Sequence, residues 1–526
     1  MQDRKEATSI KIVKRDGRIV EYDSNKIRVA IEKANAQVTE DKRLDKKKIN
    51  EIIIYIESLN KKRMLVEDIQ DIIEEKLMNY KKYDLAKVYI IYRYTRALIR
   101  KSNFTDGTIL EIIKNSSRNS WDKRSNLVMT KRNLIADLVS KDLTTRVLLP
   151  EKIADAHEKG YIYFNDMDTF IQPSINTSHI NLDDMLINGT VVNGNEVTKI
   201  KNFVDACLIS TQIAFEVANG QYGDVFLEVK HLLKYLKTDD DIKQGINVLL
   251  TQFNNMVTIY GKPIGINMML ELDEAKERNL KFYEEILKCS WNSNVKLIFM
   301  FSTNVFNEII KKYIKKGLNI KIITNKNMIN CYKFDQGIVS INLADINQDN
   351  IDTLNDRLEL CHEALTFKHH SLMGTLAMSS PIHYLYGAVA RISEEKIDKL
   401  LKNGFSTLTL GYSGLREMIN LVGVDNTLTI FSQIKKVVKK WSDDDNLDFR
   451  LQPVFDDDVC CYFSISNDNN ISKQCYSNYI DIDDIYERMK LENRVGVISK
   501  VQIGEEAVEK IFKYIEENKL NIEFMV

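Results

Sequence analysis

The chain has 526 residues, with 74 Lys+Arg against 75 Asp+Glu, enough for two or more domains with full cores; its balanced charge argues against a nucleic-acid surface or an electrostatic membrane anchor. Seven Cys with no CxxC pair exclude a disulfide scaffold and fit reduced cytosolic thiols. The start, MQDRKEATSI, has no signal-peptide pattern, and no apolar run reaches membrane-spanning length, so a soluble cytoplasmic protein is expected.

Residues 10 to 98 read as a first unit. Ile10 to Lys14 is a strand, Arg15-Asp16-Gly17-Arg18 a hairpin turn and Ile19 to Tyr22 the return strand. Asp23 and Ser24 are placed to cap a helix over Lys26–Ala36. Helical periodicity recurs at Lys47–Leu59, Val66–Tyr80 and Asp84–Ile99. Lys14, Arg15 and Lys26 set three cations around a helix start, which suits a triphosphate. Residues 101–121, with Lys101-Ser102-Asn103 and Asn115-Ser116-Ser117, read as a connection.

A larger unit spans residues 122–526. Helices alternate there with short apolar strands at Lys296–Phe301, Ile320–Ile323 and Gly337–Leu343, an α/β pattern. In Met328–Leu343 a single thiol, Cys331, sits on a polar loop. Asp335-Gln336-Gly337 follows as turn chemistry, and the β-branched run Ile338-Val339-Ser340-Ile341 as a buried strand. A loop held by a core strand is suited to presenting one reactive atom. Asp166 and Asp168 flank a possible acid/base or metal turn, for which a plain surface turn is the simpler reading. His369-His370 lie at adjacent helical positions that face different ways, which argues against a shared metal. Cys207, Cys289 and Cys361 fall on apolar helical faces and are expected in the core.

The pattern V-K-R-D-G-R-x-V-E-x-x-x-x-K-I, then Val66 to Asp71 and Ala86 to Arg93, resembles the ATP-cone regulatory domain. The resemblance implies that ATP or dATP binds as effector near Val13, Lys14, Arg15, Gly17, Glu21, Lys26 and Lys87. The segment Gly160–Gly194, Phe203–Gly223 ending in Q-Y-G, the V-S-I-N-L strand, Arg357–Ala377 and Asn403–Leu415 resemble the anaerobic (class III) ribonucleoside-triphosphate reductases in the family's order.

That resemblance implies a mostly helical ATP-cone with a β-hairpin, followed by a ten-stranded α/β barrel of the glycyl-radical reductase type. It assigns Cys331 as the finger-loop thiyl and Asn176 to the barrel wall. A glycyl radical, generated by a separate activase, passes to the thiol; the thiyl abstracts the ribose 3′-hydrogen and the 2′-hydroxyl leaves as water. Nucleotides, a second copy or an intact reductase, and a radical-activating protein are the implied partners. The chain departs from the family in three ways. No four-Cys zinc module and no R-V-x-G-Y motif follow Asn521-Ile522-Glu523-Phe524, so neither zinc nor a glycyl radical is expected in this chain. The wall's Asn-Cys pair reads Asn176-Thr177-Ser178, and a hydroxyl replaces a thiol neither as hydrogen-atom donor nor as disulfide partner. The family's His-Asp-x-Asp reads Asn165-Asp166-Met167-Asp168, and its Gly-Cys-Arg reads Asn330-Cys331-Tyr332. The expectation is a reductase that does not turn over as an isolated chain. The alternative is a nucleotide-binding pseudoenzyme that regulates an intact reductase, and the departures weigh toward that alternative or a degenerate gene product.

Overall fold

The structure is a computed structural model. It describes residues 11–13, 19–59, 61, 63–113, 128–198, 200–259, 264–271, 277–290, 295–300, 304–316, 318, 320–323, 333–346, 351–466, 478, 485–495, 497, 499–502, 508–518 and 520–525. The chain forms two compact units, Met1–Lys114 and Asn115–Val526.

In the first unit β1 (Lys11–Val13) and β2 (Ile19–Glu21) pair antiparallel, with Lys11 opposite Glu21. A third strand, β3 (Arg63–Leu65), joins β1 in parallel. Three residues are too few for an alternating pattern, so the sequence does not announce it. Among the described residues four α-helices follow, the first three close to the expected spans: Ser24–Asn35, Lys46–Ser58, Val66–Asn79 and Tyr83–Ile113. Ile27, Ile31, Ile49, Ile52, Ile56, Ile69, Ile73 and Leu77 recur at three- and four-residue steps, so each helix turns one apolar stripe into a common core. The last helix runs through residues 101–113, which the sequence reading assigns to a connection.

Among the described residues the second unit holds thirteen strands. They are β4 (Ile162–Phe164), β5 (Thr177–Ile180), β6 (Thr190–Val192), β7 (Asn195–Val197), β8 (Val225–Glu228), β9 (Ile266–Glu271), β10 (Lys296–Met300), β11 (Ile320–Ile323), β12 (Phe334–Asn342), β13 (Ser406–Ser413), β14 (Phe449–Pro453), β15 (Ser499–Gln502) and β16 (Ile522–Met525). Ten lie on one path, β14-β13-β12-β5-β8-β9-β10-β11-β16-β15, while β4 pairs with β12 and β6 with β7. The path holds two sets of five. β5, β8, β9, β10 and β11 run parallel to one another, and they meet the other five antiparallel at β5/β12 and β11/β16. This is the strand order of the ten-stranded α/β barrel; the path is open between β14 and β15 among the described residues.

Alternation separates the two faces of the sheet. Ile180, Leu227, Met268, Leu297 and Phe299 pack into a large cluster with helix residues such as Phe203, Leu249 and Phe282. Met269, Ile298, Met300 and Ile323 form a separate cluster of strand residues only, with Phe226 against it. The first face is the helix-covered outside and the second is the inner face. No helix among the described residues is long and apolar enough to cross a membrane.

Cysteine placement differs from expectation at two positions. Cys207 and Cys361 are buried as expected, but Cys289, the last residue of the helix Glu277–Cys289, is exposed. Cys461 is disulfide-bonded, where the sequence reading expects reduced thiols.

Candidate functional site

Asp335 organises the inner face where β5 meets β12. It lies directly opposite Thr177 in the antiparallel register, so the two side chains share a face. On β5, Ser178 has the parity of the outward Ile180, while Thr177 and His179 face inward. His179 stacks on the inner-face Phe226 with ring centroids 4.6 Å apart. The sequence reading places Asp335-Gln336-Gly337 in a turn. The structure places all three inside β12, with a register shift between Asp335 and Ile338. The turn chemistry survives as a bulge: Asp335 Oδ1 accepts the Gly337 amide at 2.7 Å, the side-chain-to-backbone closure that Asp favours.

The Asp335 carboxyl is 1% exposed. Thr409 Oγ1 donates to its other oxygen. The Asn176 side chain bonds to it as well, and the Asn176 amide donates to the Asp335 carbonyl at 2.9 Å. Burial raises its pKa to about 7, against the opposing pull of those donors and of the Arg450 charge. Asn176 is thereby brought to the site. Thr177 Oγ1 is buried with no hydrogen-bond partner among the described residues. Gly223 closes the wall behind them: a Cβ there would lie 2.4 Å from Asn176 Oδ1 and 2.7 Å from the Asn176 carbonyl.

Lys368 approaches from the helix Ile351–Leu372 and is 3% exposed. Its Nζ donates to the Asn165 carbonyl at 2.8 Å and sits 4.2 Å from the centre of the Phe164 ring. Burial lowers its pKa to about 8, opposed by Asp166, Asp335 and Asp168. A Cβ on Gly337 would meet Lys368 Cδ at 2.7 Å, so the bulge glycine makes room for the lysine. Tyr222 is held by Asp166, and burial pushes its phenol well above the usual range. Asp166 adopts φ 62°, a left-handed turn residue. Asp166, Tyr222, Gln336 and Lys368 border a cavity of about 10 Å³, room for one water. A larger cavity of about 230 Å³ is lined by Asp168, Gln221, Tyr222, Gly223 and Asp224 among others.

Outside the wall, Ser178 Oγ donates to Gln221 Oε1 at 2.6 Å. His383 Nε2 bonds to the same oxygen at 3.2 Å and its Nδ1 bonds to Ser380 Oγ at 2.7 Å, with burial lowering the imidazole pKa to about 4. His369 Nδ1 bonds to Gln336 Oε1 at 2.9 Å and is buried, whereas His370 is exposed. The described residues hold no group of three or more metal-ligating side chains.

Cys331 lies outside the described residues, as do Lys14, Arg15 and Gly17. Of the remaining cone residues, Val13 ends β1, and Glu21, Lys26 and Lys87 are exposed. The Asp23 side chain accepts the Asn25 amide and its carbonyl accepts the Lys26 amide. The helix start is therefore already capped, and an anion there must be held by side chains rather than by those two amides. Sequence reasoning missed Asp335, Thr409, Tyr222 and Lys368 as site residues. One signal was available: Lys368 continues the spacing of Cys361, Ala364, Leu365 and Leu372, a charge on an apolar stripe.

The strand order is that of a ten-stranded α/β barrel, with polar residues gathered on its inner face where β5 meets β12. Residues 10–98 match the model of the ATP cone domain, and residues 121–289 and 263–504 match that of the anaerobic ribonucleoside-triphosphate reductases. The chain belongs to the anaerobic ribonucleoside-triphosphate reductase family. The Haemophilus influenzae enzyme of that name is 24% identical, over 86% of this chain and 78% of its own. The Escherichia coli enzyme is 23% identical, over 86% and 77%. A crystal structure of the Thermotoga maritima anaerobic ribonucleotide reductase, with dATP bound in its specificity site, superimposes with a TM-score of 0.64 at 12% identity. It covers 82% of this chain and 91% of its own.

Proposed function

We propose that the chain is a ribonucleoside-triphosphate reductase under ATP or dATP control, working by thiyl-radical chemistry at Cys331. One observation carries this reading: the strand that Cys331 leads into in sequence holds a buried carboxyl, Asp335, poised near neutrality on its inner face. Loss of a 2′-hydroxyl as water consumes a proton, and an acid with a pKa near the working pH is suited to donate it. Asn176 and Thr409 hold that carboxyl in place. Thr177 carries a hydroxyl where the resemblance puts a wall thiol, so that position offers no disulfide partner and the two reducing equivalents come from another donor, such as a diffusible reductant. In the cone, Lys26 and Lys87, with Lys14 and Arg15, supply the phosphate contacts.

The test is product formation from ribonucleoside triphosphates by the full chain, mixed with an activase and a polypeptide bearing a glycyl radical. Deoxyribonucleotide should form with the wild-type chain, and Cys331→Ser should abolish it. Turnover that survives Cys331→Ser removes the thiyl role. In parallel, Lys14→Ala/Arg15→Ala should weaken the calorimetric ATP and dATP signal without touching the barrel.

Thr177, a hydroxyl where the resemblance puts a wall thiol, favours a second reading, a regulatory pseudoenzyme that pairs with an intact reductase. That reading gains if the chain binds nucleotide, changes a partner reductase's activity and yields no product in any reconstitution.

A further inference from the structure

We propose that the barrel unit carries a nucleoside-triphosphate site of its own, in a basic groove between the helices Val424–Asp445 and Ile485–Val495. The groove encloses about 400 Å³, within the range of small-ligand sites. Lys435, Lys436 and Lys439 line it from the first helix, and Arg494 from the last turn of the second. The first helix presents these cations beside Leu428 and Phe431 because positions 428, 431, 435 and 439 recur at three- and four-residue steps. Phe431 is buried and Leu428 packs against the same core, so the floor is apolar while the rim is cationic. Lys435 Nζ donates to the Arg494 carbonyl at 2.7 Å, which ties the two helices together at the groove.

The missing counter-charge points to the ligand. Several surface lysines elsewhere have a carboxylate partner, as Lys234 has Asp183, and as Lys311 and Lys315 have Glu509. Among the described residues none of the four groove cations makes an ion pair, and no carboxylate lines the groove. Four like charges set together repel, and solvent screens them only in part, so a polyanion that joins them is favoured. A phosphate chain satisfies Lys and Arg at once, and the apolar floor suits a nucleoside. A triphosphate with a base attached therefore fits better than a bare anion.

The experiment is hydrogen exchange of the full chain, read on peptides within Val424–Asp445, with ATP, tripolyphosphate or adenosine added separately. ATP should slow exchange there, tripolyphosphate less so, and adenosine not at all. Lys436→Glu/Lys439→Glu should raise the ATP concentration needed by about tenfold or more, and Lys436→Gln/Lys439→Gln should act in the same direction. An unchanged exchange pattern with ATP overturns the proposal, as does equal protection in either folded variant. Equal protection by tripolyphosphate overturns the nucleoside part. The readout is local to this helix pair, so the result is independent of what the cone binds and of whether the chain turns over.

Discussion

Asp335 shows how one position changes meaning between sequence and fold. In the sequence it belongs to Asp-Gln-Gly and reads as a turn. In the fold its carboxyl still closes on the Gly337 amide, but within a strand and on the inner face opposite Thr177. Its pKa, raised from 3.8 to about 7, makes stability depend on pH with a definite sign. The folded state holds the proton more tightly than the unfolded chain, so this contribution is complete below about pH 4 and is lost as pH rises through 7. Full loss is worth up to about 4 kcal/mol. Asp335→Asn should therefore flatten the fall in stability between pH 5 and 8, measured by urea unfolding at both; an equal fall in both proteins would remove the buried acid from the account. Gly223 makes a steric prediction. Because the atoms a Cβ would meet include the Asn176 carbonyl, Gly223→Ala should destabilise the barrel by about 1–3 kcal/mol, seen as a lower denaturant midpoint with an unchanged slope.

Elements with many residues and one clear period were legible. The helices Ser24–Asn35, Lys46–Ser58 and Val66–Asn79 begin and end close to where caps and periodicity place them, because local signals decide helix ends. β3 was not legible, since its place depends on pairing with β1 half a domain away in sequence. The helix Tyr83–Ile113 was half legible: its apolar stripe fades after Ile99, but nothing in 101–113 forbids a helix. Its Arg93 bonds to Glu67 at 2.8 Å, Asp71 at 2.7 Å and Glu74 at 2.9 Å, all on the helix Val66–Asn79. Arg93→Ala leaves three carboxylates facing one another on that helix surface. It should lower the cone's stability by about 1–2 kcal/mol, checked by thermal unfolding. A cost within 0.3 kcal/mol would mean that solvent already screens the cluster.

At the scale of the molecule, each unit has its own core, one made of the cone helices and one of the barrel's sheet and helices. A chain begun at residue 115 should keep the barrel's circular dichroism and a cooperative unfolding transition. It should also lose the effector response assigned to Lys14, Arg15 and Lys26. Collapse of the shortened chain would show that the barrel's stability draws on residues 1–114.

By itself the sequence determined the α/β class, the cone-then-barrel order, the helices and the family, because these rest on short-range periodicity and on motifs that keep their order along the chain. Only the tertiary structure decided that Asn176, Thr177, Asp335, Thr409 and Lys368 meet. These residues are up to 233 positions apart (409 − 176), and they are joined by strand register and by a helix that delivers a buried charge. Register inverts every side chain with a one-residue shift, so the choice between Thr177 and Ser178 as the inward residue belongs to the sheet and not to the local sequence.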